Sequence, residues 1–416
     1  TPGGIKLWEG RLLMPLSTKE ISVTELKQLL DNEEKLFFVD VRNREDFENW
    51  RIEGRGEIPA IHVPYFELLE DADEEDLAQG VAAYAEKNWS DRLPKDRTIV
   101  AVCAKGGASA LVAEGLRRLG YKAVNLRGGM DAWGNYYEFR PVVEEDELTI
   151  QQVIRPARGC LSYVIASRGE AVIVDPLRHI DEYLRWIKDK GLKVVTVLDT
   201  HVHADHISGG AALAAELGVP YHFHPYDGIH PIDVLPPQIS YEMVKPDQEF
   251  IVGSARVKAL HIPGHTLGNI AYLVNERYLL TGDSIFVESI ARPDLGGKGE
   301  TWAPIHYESL KRLLKLPDKT VILPGHFSSP KEANEKGVYA ATLGDLKKSN
   351  EGLQKVMEGK EVFVDYILSS LPHFPPQYVD IKRVNIGLLK PDESKASELE
   401  LGRNICALAQ AYQNRA

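Results

Sequence analysis

The sequence predicts an α/β protein made of two folded domains and a helical C-terminal tail. In residues 17–141, short apolar runs such as LFFVDV and TIVAVC alternate with helical patterns such as ASALVAEGLRRLG, which is typical of a parallel sheet flanked by helices. From residue 149 onward, strand patterns such as LSYVIA, VVTVLD and ARVKALHI are interspersed with helical ones, which predicts two sheets sandwiched between helices. A chain of 416 residues is also too long for one ordinary core.

The predicted domain boundaries follow these patterns. The first domain covers residues 17–141, and the acidic stretch at 142–148 is interpreted as a linker. The second domain covers 149–360, and a helical segment at 361–416, interrupted by the Pro-rich LPHFPPQY, is expected to pack on it. Residues 1–13 are excluded from the fold prediction as a trimmed tail or a remnant foreign to the protein.

Composition and charge exclude several classes of function. A net charge of −12 without a long basic run argues against nucleic-acid binding. No apolar run is long enough to cross a bilayer, so no membrane partner is expected. The three cysteines, Cys103, Cys160 and Cys406, are scattered and odd in number, which favours a reducing cytoplasm over a disulfide framework. Of these, Cys160 and Cys406 are expected to be packing residues.

Four short motifs of the second domain predict a metal site. THVHADHISGG directly follows the strand VVTVLD, and HIPGHT, LLTGDS and ILPGHF each place Gly and then a ligand-type residue after a strand. Because sites in α/β sheets collect at strand ends, we expect these side chains to converge. The candidate residues are His201, His203, Asp205, His206, His265, Asp283 and His326.

These motifs resemble the metallo-β-lactamase fold family over about residues 145–335, which implies an αββα sandwich. In the dizinc members, the positions of His201, His203 and His265 bind one metal ion. The second ion is bound at the positions of Asp205, His206 and His326, and Asp283 stands at the bridging position. Because this sequence retains all of these residues, the ligand set leaves a dizinc glutathione-thioester hydrolase, similar to glyoxalase II, open.

The piece ARPDL after Asp283 resembles a signature of persulfide dioxygenases, which are mononuclear non-haem iron enzymes of the same fold. That resemblance implies one Fe(II) per chain on His201, His265 and Asp283, a triad that leaves coordination positions open for oxygen chemistry. The remaining four candidates, His203, Asp205, His206 and His326, would then orient the ligands.

The same resemblance implies two residues that bind substrate. Arg292 would either steer an anionic thiol carrier or brace its loop through an ion pair with Asp294. The segment LPHFPPQYVDIKRVN is similar to the C-terminal segment of bacterial persulfide dioxygenases, which suggests that Tyr378 faces the site, the alternative being plain packing of a terminal helix.

The first domain contains a cysteine in a setting typical of a nucleophile. TIVAVCAKGGASALVAEG predicts a strand, then Cys103, then a Gly-rich loop and a helix. The N–H groups of Ala104–Ala108 and the positive end of the helix would favour a thiolate and a bound anion. Lys105 would add positive charge, while Gly106 and Gly107 would permit a tight curl.

The first domain resembles rhodanese sulfurtransferases over about residues 20–138. The resemblance rests on FVDVRNREDFENW, IPAIHVPYFELL, the Cys103 loop and NLRGGMDAW. It implies that Cys103 carries sulfane sulfur and that Asp40 and Arg42 brace the fold. Ala108 stands where many relatives have Arg or Thr, so part of the anion grip is missing. Tyrosine phosphatases need an arginine where this chain has Ser109, so phosphatase activity is not expected.

Together the two resemblances imply oxidation of a low-molecular-weight persulfide by O2 to sulfite and thiol, coupled to sulfur transfer among thiosulfate, sulfite and persulfide. Glutathione is the expected thiol carrier, and a homodimer in the cytoplasm is the expected state. Two alternatives remain: the dizinc thioester hydrolase with an appended rhodanese domain, and a sulfur-sensing or carrier module with a degenerate metal site.

Overall fold

The computed structural model describes residues 7–8, 11–12, 19–69 and 76–408. It divides between Tyr136 and Tyr137 into two compact units, each described below by itself. Within the excluded segment 1–13, Leu7–Trp8 and Arg11–Leu12 pair as antiparallel strands. The other residues of that segment, the first two of the predicted first domain and the end of the predicted tail after residue 408 lie outside the described residues.

The first unit contains the predicted parallel sheet. Its sheet has the order β3-β7-β6-β4-β5, and every neighbouring pair is parallel. The strands of the unit are β1 (Leu7–Trp8), β2 (Arg11–Leu12), β3 (Glu20–Ile21), β4 (Leu36–Asp40), β5 (Ala60–His62), β6 (Thr98–Val102) and β7 (Ala123–Leu126). The helices are α1 (Val23–Asp31), α2 (Arg44–Asn49), α3 (Leu77–Trp89), α4 (Gly107–Arg118) and α5 (Gly129–Gly134).

The second unit begins with a sheet of seven strands in the order β14-β13-β12-β11-β10-β9-β8. Strands β8 to β11 pair antiparallel, and β11 to β14 pair parallel. The strands are β8 (Glu138–Glu145), β9 (Leu148–Arg155), β10 (Cys160–Ser167), β11 (Glu170–Val174), β12 (Lys193–Leu198), β13 (Tyr221–Phe223) and β14 (Glu242–Met243).

A second sheet of six strands follows in the order β15-β16-β17-β18-β19-β20. Its strands are β15 (Glu249–Val252), β16 (Ala255–His261), β17 (Ile270–Val274), β18 (Tyr278–Gly282), β19 (Val321–Pro324) and β20 (Ala341–Thr342). The helices of the unit are α6 (Ile180–Lys190), α7 (Gly210–Leu217), α8 (Gly299–Leu313), α9 (Leu343–Ser349), α10 (Glu351–Glu358), α11 (Lys360–Ser369), α12 (Gln377–Asn385) and α13 (Glu393–Leu399).

Apolar packing arranges the second unit in four layers and confirms the predicted sandwich. Ile150 and Ile165 of the first sheet share one buried cluster with Val257 and Tyr272 of the second sheet. The outer face of the first sheet packs against α6 and α7, and the outer face of the second sheet packs against α8, α10 and α11. The apolar cores therefore lie between the two sheets and beneath the helices on both sides.

The predicted linker at 142–148 is wrong. Residues up to Glu145 belong to β8, which pairs with β9 from Glu138↔Ile154 to Glu145↔Leu148. β8 is the edge strand of its sheet, and charged side chains on an edge strand prevent pairing with other chains. An acidic edge strand and an acidic linker have the same composition, so the sequence pattern did not separate them.

The C-terminal tail consists of helices, as predicted, and docks on the second unit. The buried Arg158 guanidinium donates hydrogen bonds to the carbonyl oxygens of Glu400, Gly402 and Asp205. The Glu400 carboxylate lies 3.0 Å from the guanidinium groups of both Arg155 and Arg178. In the described part of the chain, every helix is too short or too polar to span a membrane.

We predict that Glu400→Gln destabilises the protein by about 3–5 kcal/mol, because it leaves buried arginines without their counter-ion. Burial alone would raise the pKa of Glu400, but Arg155, Arg158 and Arg178 outweigh burial and lower the pKa from its ordinary 4.5 to about 2. The carboxylate therefore stabilises the fold above pH 4.5, and this contribution is lost as the pH falls through about 2.

Urea denaturation of wild type and variant measures the loss. Glu393→Gln is the matched control, since Glu393 also pairs with Arg178 but its side chain is 74% exposed against 1% for Glu400. This control should change stability by less than about 1 kcal/mol. Equal effects of the two substitutions would contradict the prediction.

Candidate active sites

Cys103 lies between the central strand β6 and the first turn of α4, as the sequence predicted. Its sulfur accepts hydrogen bonds from the backbone N–H groups of Gly106 at 3.1 Å and Ser109 at 3.4 Å. The Ser109 hydroxyl lies 3.2 Å from the same sulfur. Cys103 is only 7% exposed, and its sulfur lies where backbone N–H groups of the loop and the N-terminal end of α4 converge.

Gly106 and Gly107 were both predicted to permit a tight curl, but they differ in backbone conformation and in surroundings. Gly106 has φ +85°, and an added Cβ would lie 2.8 Å from the backbone nitrogen of Gly128. Gly107 is exposed, and nothing lies within 4 Å of an added Cβ. Only Gly106 is therefore required for the curl of the loop. Lys105 is exposed beside this loop.

The side chains of Ser109, Asn125 and Glu20 form a chain of polar contacts that begins at the Cys103 sulfur. The Ser109 hydroxyl lies 2.7 Å from Asn125 Oδ1, and Asn125 Nδ2 donates to Glu20 Oε1 at 2.9 Å. Arg42 donates two hydrogen bonds to both oxygens of Asp40, at 3.0 Å and 2.7 Å. Asp40 and Arg42 thus brace the fold, as the sequence suggested, while Ser109 and Asn125 act near the sulfur.

In the second unit, the strand ends bring three predicted ligands together. His201, His265 and Asp283 follow β12, β16 and β18, and all three side chains are fully buried. His265 Nε2 lies 3.3 Å, and His201 Nε2 4.0 Å, from Asp283 Oδ2. None of these three atoms has a hydrogen-bond partner. Three converging buried atoms that lack partners fit a bound metal ion.

Hydrogen bonds at the far side of each ring orient the two histidines. His265 Nδ1–H donates to the carbonyl oxygen of Arg292 at 2.7 Å. His201 Nδ1 lies 2.9 Å from the Thr200 hydroxyl, which itself donates to Asp175 Oδ2 at 3.0 Å. Both Nε2 lone pairs therefore face the site. Burial and the nearby His203 ring lower the pKa of His201 well below its ordinary value, so the ring is neutral.

Asp205, His206 and His326 form a second cluster beside the first. Asp205 Oδ1 lies 3.1 Å from His206 Nδ1, and Asp205 Oδ2 lies 2.9 Å from His326 Nε2. His326 Nδ1–H donates to Asp283 Oδ1 at 2.6 Å. Burial alone would lower the pKa of His326, but the carboxylates of Asp205 and Asp283 raise it well above its ordinary value. Asp283 therefore has one oxygen engaged by His326 and one oxygen free.

The His203 ring lies between the two clusters, with its centroid 4.2 Å from the rings of both His201 and His206. Its Nε2 lies 3.2 Å from Asp175 Oδ1, and its Nδ1 is buried without a partner. Asp175 also accepts the backbone N–H of Thr200 at 2.6 Å and adopts a positive φ of 53°. The Asp175 carboxylate therefore orients His203 directly and His201 through Thr200. The positive φ of Asp175 is a strained backbone conformation.

Cys160 and Cys406 are packed in apolar clusters, as expected, but both also approach the predicted ligands. Cys160 Sγ lies 3.6 Å from Asp205 Oδ2. The Cys406 sulfur lies within 4.8 Å of ligand atoms of Asp283 and His326. Both cysteines are distant in sequence from the motifs, and only tertiary contacts place them at the site.

Of the two roles considered for Arg292, the structure supports bracing of its loop through Asp294 and not substrate binding. Its five N–H donors are all used: both oxygens of Asp294 accept two, and backbone carbonyls accept three. The guanidinium therefore braces the loop and has no donor left for an anion. Tyr378 is buried, its hydroxyl accepts the backbone N–H of Ile405 at 2.7 Å, and it lies 4.0 Å from Cys406 Sγ.

Helix α12, which belongs to the C-terminal tail, contacts the HVHADH segment of residues 201–206. The Asn385 side-chain amide donates to the carbonyl oxygens of His203 and His206, both at 2.8 Å. Its oxygen accepts the N–H of Ser208 at 2.9 Å. A tail that is remote in sequence thus fixes the backbone of the HVHADH segment.

Comparison with known proteins agrees with the division of the chain into two units. A family model described as a rhodanese-like domain matches residues 22–136, and one described as the metallo-beta-lactamase superfamily matches residues 155–326. An uncharacterized protein of Mycobacterium leprae is 34% identical over 193 residues, which cover 41% of this chain and 87% of that protein.

Two further relatives have named activities or families. A hydroxyacylglutathione hydrolase of Pelagibacter ubique is 31% identical over 180 residues, covering 42% of this chain and 70% of that protein. The solved structure of a metallo-beta-lactamase from Staphylococcus aureus is 28% identical with a TM-score of 0.51, covering 60% of this chain and 75% of that one.

We predict that Gly106→Ala lowers sulfur transfer by Cys103 roughly tenfold or more, because the strained φ and the clash with Gly128 displace a donor to the sulfur. Gly107→Ala is the control and should stay within about twofold of wild type. Initial rates of sulfur transfer from thiosulfate to cyanide measure both. If the two alanine variants are equally active, the assignment of the curl to Gly106 is refuted.

Proposed function

Because the chain belongs to the metallo-β-lactamase superfamily and also contains a rhodanese-like domain, we propose that it oxidises a low-molecular-weight persulfide with O2 and transfers sulfane sulfur through Cys103. In the oxidation, RSSH, O2 and H2O give RSH, sulfite and two protons. The outer sulfur of the persulfide is oxidised, O2 is reduced, and the S–S bond breaks.

One observation carries the choice of a single metal ion. His326 Nδ1–H engages Asp283 Oδ1 at 2.6 Å, which leaves only Oδ2 free toward His201 and His265. In the second cluster, by contrast, both oxygens of Asp205 already lie against its own histidines, His206 at 3.1 Å and His326 at 2.9 Å. These contacts support one ion on His201, His265 and Asp283, a two-histidine, one-carboxylate set typical of non-haem Fe(II) oxygenases.

Each residue of the site has a distinct proposed role. His201 and His265 would bind Fe(II) through Nε2 and Asp283 through Oδ2, and bound Fe(II) would supply the one-electron chemistry that O2 requires. Thr200 and the Arg292 carbonyl keep the two rings oriented, and His326 occupies Asp283 Oδ1 and so leaves Oδ2 available for the metal. Full burial of the three ligands limits access of bulk water.

The first unit would supply the complementary sulfur chemistry. The Cys103 thiolate attacks the outer sulfur of thiosulfate, a Cys103–persulfide forms, and sulfite leaves. The reverse reaction uses sulfite, the product of the oxidation, as the acceptor of sulfane sulfur. The N–H groups of Gly106 and Ser109 stabilise the negative sulfur in both directions. A sulfurtransferase in the same chain as a sulfite-producing oxygenase would therefore share sulfite with it.

Glutathione is the proposed thiol carrier of the persulfide, and the proposal rests on the resemblance of ARPDL to the persulfide dioxygenase signature. Arg292 does not contribute the anion site, because its donors are all used within the loop and the tail.

A dizinc glutathione-thioester hydrolase is the second candidate. It is favoured by the similarity to a hydroxyacylglutathione hydrolase and by the buried Nε2 atom of His206 in the second cluster, which has no hydrogen-bond partner. In this case, both clusters would hold zinc.

Metal content separates the two candidates. We expect about one iron per chain in anaerobically purified protein, against about two zinc ions for the hydrolase. Asp205→Asn should keep the iron, whereas Asp283→Ala should lose iron and all O2 uptake with glutathione persulfide. Elemental analysis and an oxygen electrode measure these quantities. Two zinc ions per chain with thioester hydrolysis would refute the proposal.

A second experiment separates the two units. We expect Cys103→Ser to abolish sulfur transfer from thiosulfate and to leave O2 uptake with added glutathione persulfide unchanged, because the iron ligands lie in the other unit. Asp283→Ala should show the reverse pattern, with sulfur transfer retained. If Cys103→Ser also abolishes O2 uptake, the assignment of the two reactions to separate sites is incorrect.

A further inference from the structure

Asp227 is a buried carboxylate that neither cluster includes. It ends a short turn after β13 and is only 2% exposed. Its Oδ2 accepts the backbone N–H of Val202 at 3.0 Å and the Thr266 hydroxyl at 2.7 Å. Its Oδ1 accepts the backbone N–H of Gly268 at 2.9 Å. Both oxygens are thus occupied by donors from elsewhere in the chain.

The donors to Asp227 belong to the two loops that contain the histidine ligands. Val202 directly follows His201, and Thr266 directly follows His265. The two ligand loops are more than sixty residues apart in sequence, yet both bind this one side chain. The rings of His201 and His265 lie with their centroids 5.1 Å apart and nearly perpendicular.

A glycine makes the approach to Asp227 possible. A Cβ at position 268 would lie 2.6 Å from Asp227 Cγ, which is closer than real Cβ contacts. The backbone N–H of Gly268 can therefore reach the carboxylate only because this residue has no side chain.

We propose that Asp227 is a positioning residue that sets the separation of His201 and His265 and thereby the affinity of the metal site. Its charge-assisted hydrogen bonds hold the segment after His201 through Val202 and the segment after His265 through Thr266. Loss of the bond to Val202 or to Thr266 would therefore move one ligand relative to the other. Asp227 acts through these loops, since neither of its oxygens is free to bind a metal. The inference rests on metal binding at His201, His265 and Asp283 and does not depend on the reaction with O2.

Thr266 offers a matched pair of substitutions. Thr266→Val removes the hydroxyl that reaches Asp227 and keeps the side-chain shape, while Thr266→Ser keeps the hydroxyl. We expect Thr266→Val and Asp227→Asn to weaken metal binding roughly 10- to 100-fold, the usual effect of losing an outer hydrogen bond to a ligand shell. Thr266→Ser should restore affinity close to that of wild type.

Ser309→Ala is the control for general loosening of the loop. The Ser309 hydroxyl donates to the carbonyl oxygen of Pro263 at 2.7 Å, on the His265 loop but away from Asp227. This variant should bind metal as wild type does. If it weakens binding as much as Thr266→Val, the specific role of Asp227 is overturned.

The measurements use Co(II) with the full chain. Competition with a chelator gives the dissociation constant, and the visible absorption of bound Co(II) reports ligand geometry, which a purely structural role would not change. We expect an altered Co(II) spectrum for Asp227→Asn and Thr266→Val. Wild-type affinity and spectrum in a folded Thr266→Val variant would overturn the proposal, even if Asp227→Asn does not fold. Absence of O2 uptake in wild type would refute the dioxygenase and leave this result unaffected.

Discussion

Three buried atoms without hydrogen-bond partners, on His201, His265 and Asp283, are the constraint around which the second unit is organised. A buried polar atom left unpaired costs about 1–3 kcal/mol, and a charged one costs more. A metal ion bound among these three atoms would satisfy all of them together and so offset this cost. The geometry of the triad therefore depends on the surrounding structure, which must hold these atoms together before a metal binds.

That surrounding structure has several independent supports. Asp175 orients His203 and, through Thr200, His201, whereas Asp227 ties the backbone beside His201 to the backbone beside His265. From the tail, Asn385 binds the HVHADH segment, and the Glu400 side chain accepts the backbone N–H of Ile207. The tail is thus part of the scaffold of the site.

The hydrogen bond between His326 and Asp283 links this architecture to the proposed chemistry. The superfamily's ligand positions are all present, so the residue types alone allow one metal or two. His326 engages one Asp283 oxygen and leaves the other facing His201 and His265, the arrangement on which the proposed single-ion site rests. The Cys103 loop supplies its own electrostatic environment from backbone donors and a helix N-terminus, and its chemistry requires no metal.

The sequence by itself determined the two-domain α/β organisation, the convergence of the strand-end histidines and carboxylates, and the position of Cys103 in a loop between strand and helix. These properties depend on local periodicity and on short motifs, which neighbouring residues encode. The tertiary structure alone decided that 142–145 form an edge strand, that Cys160 and Cys406 approach the ligands, and that Arg292 is fully engaged. It also revealed Asp227. Each of these depends on contacts between segments distant in sequence, for which composition and spacing carry no signal.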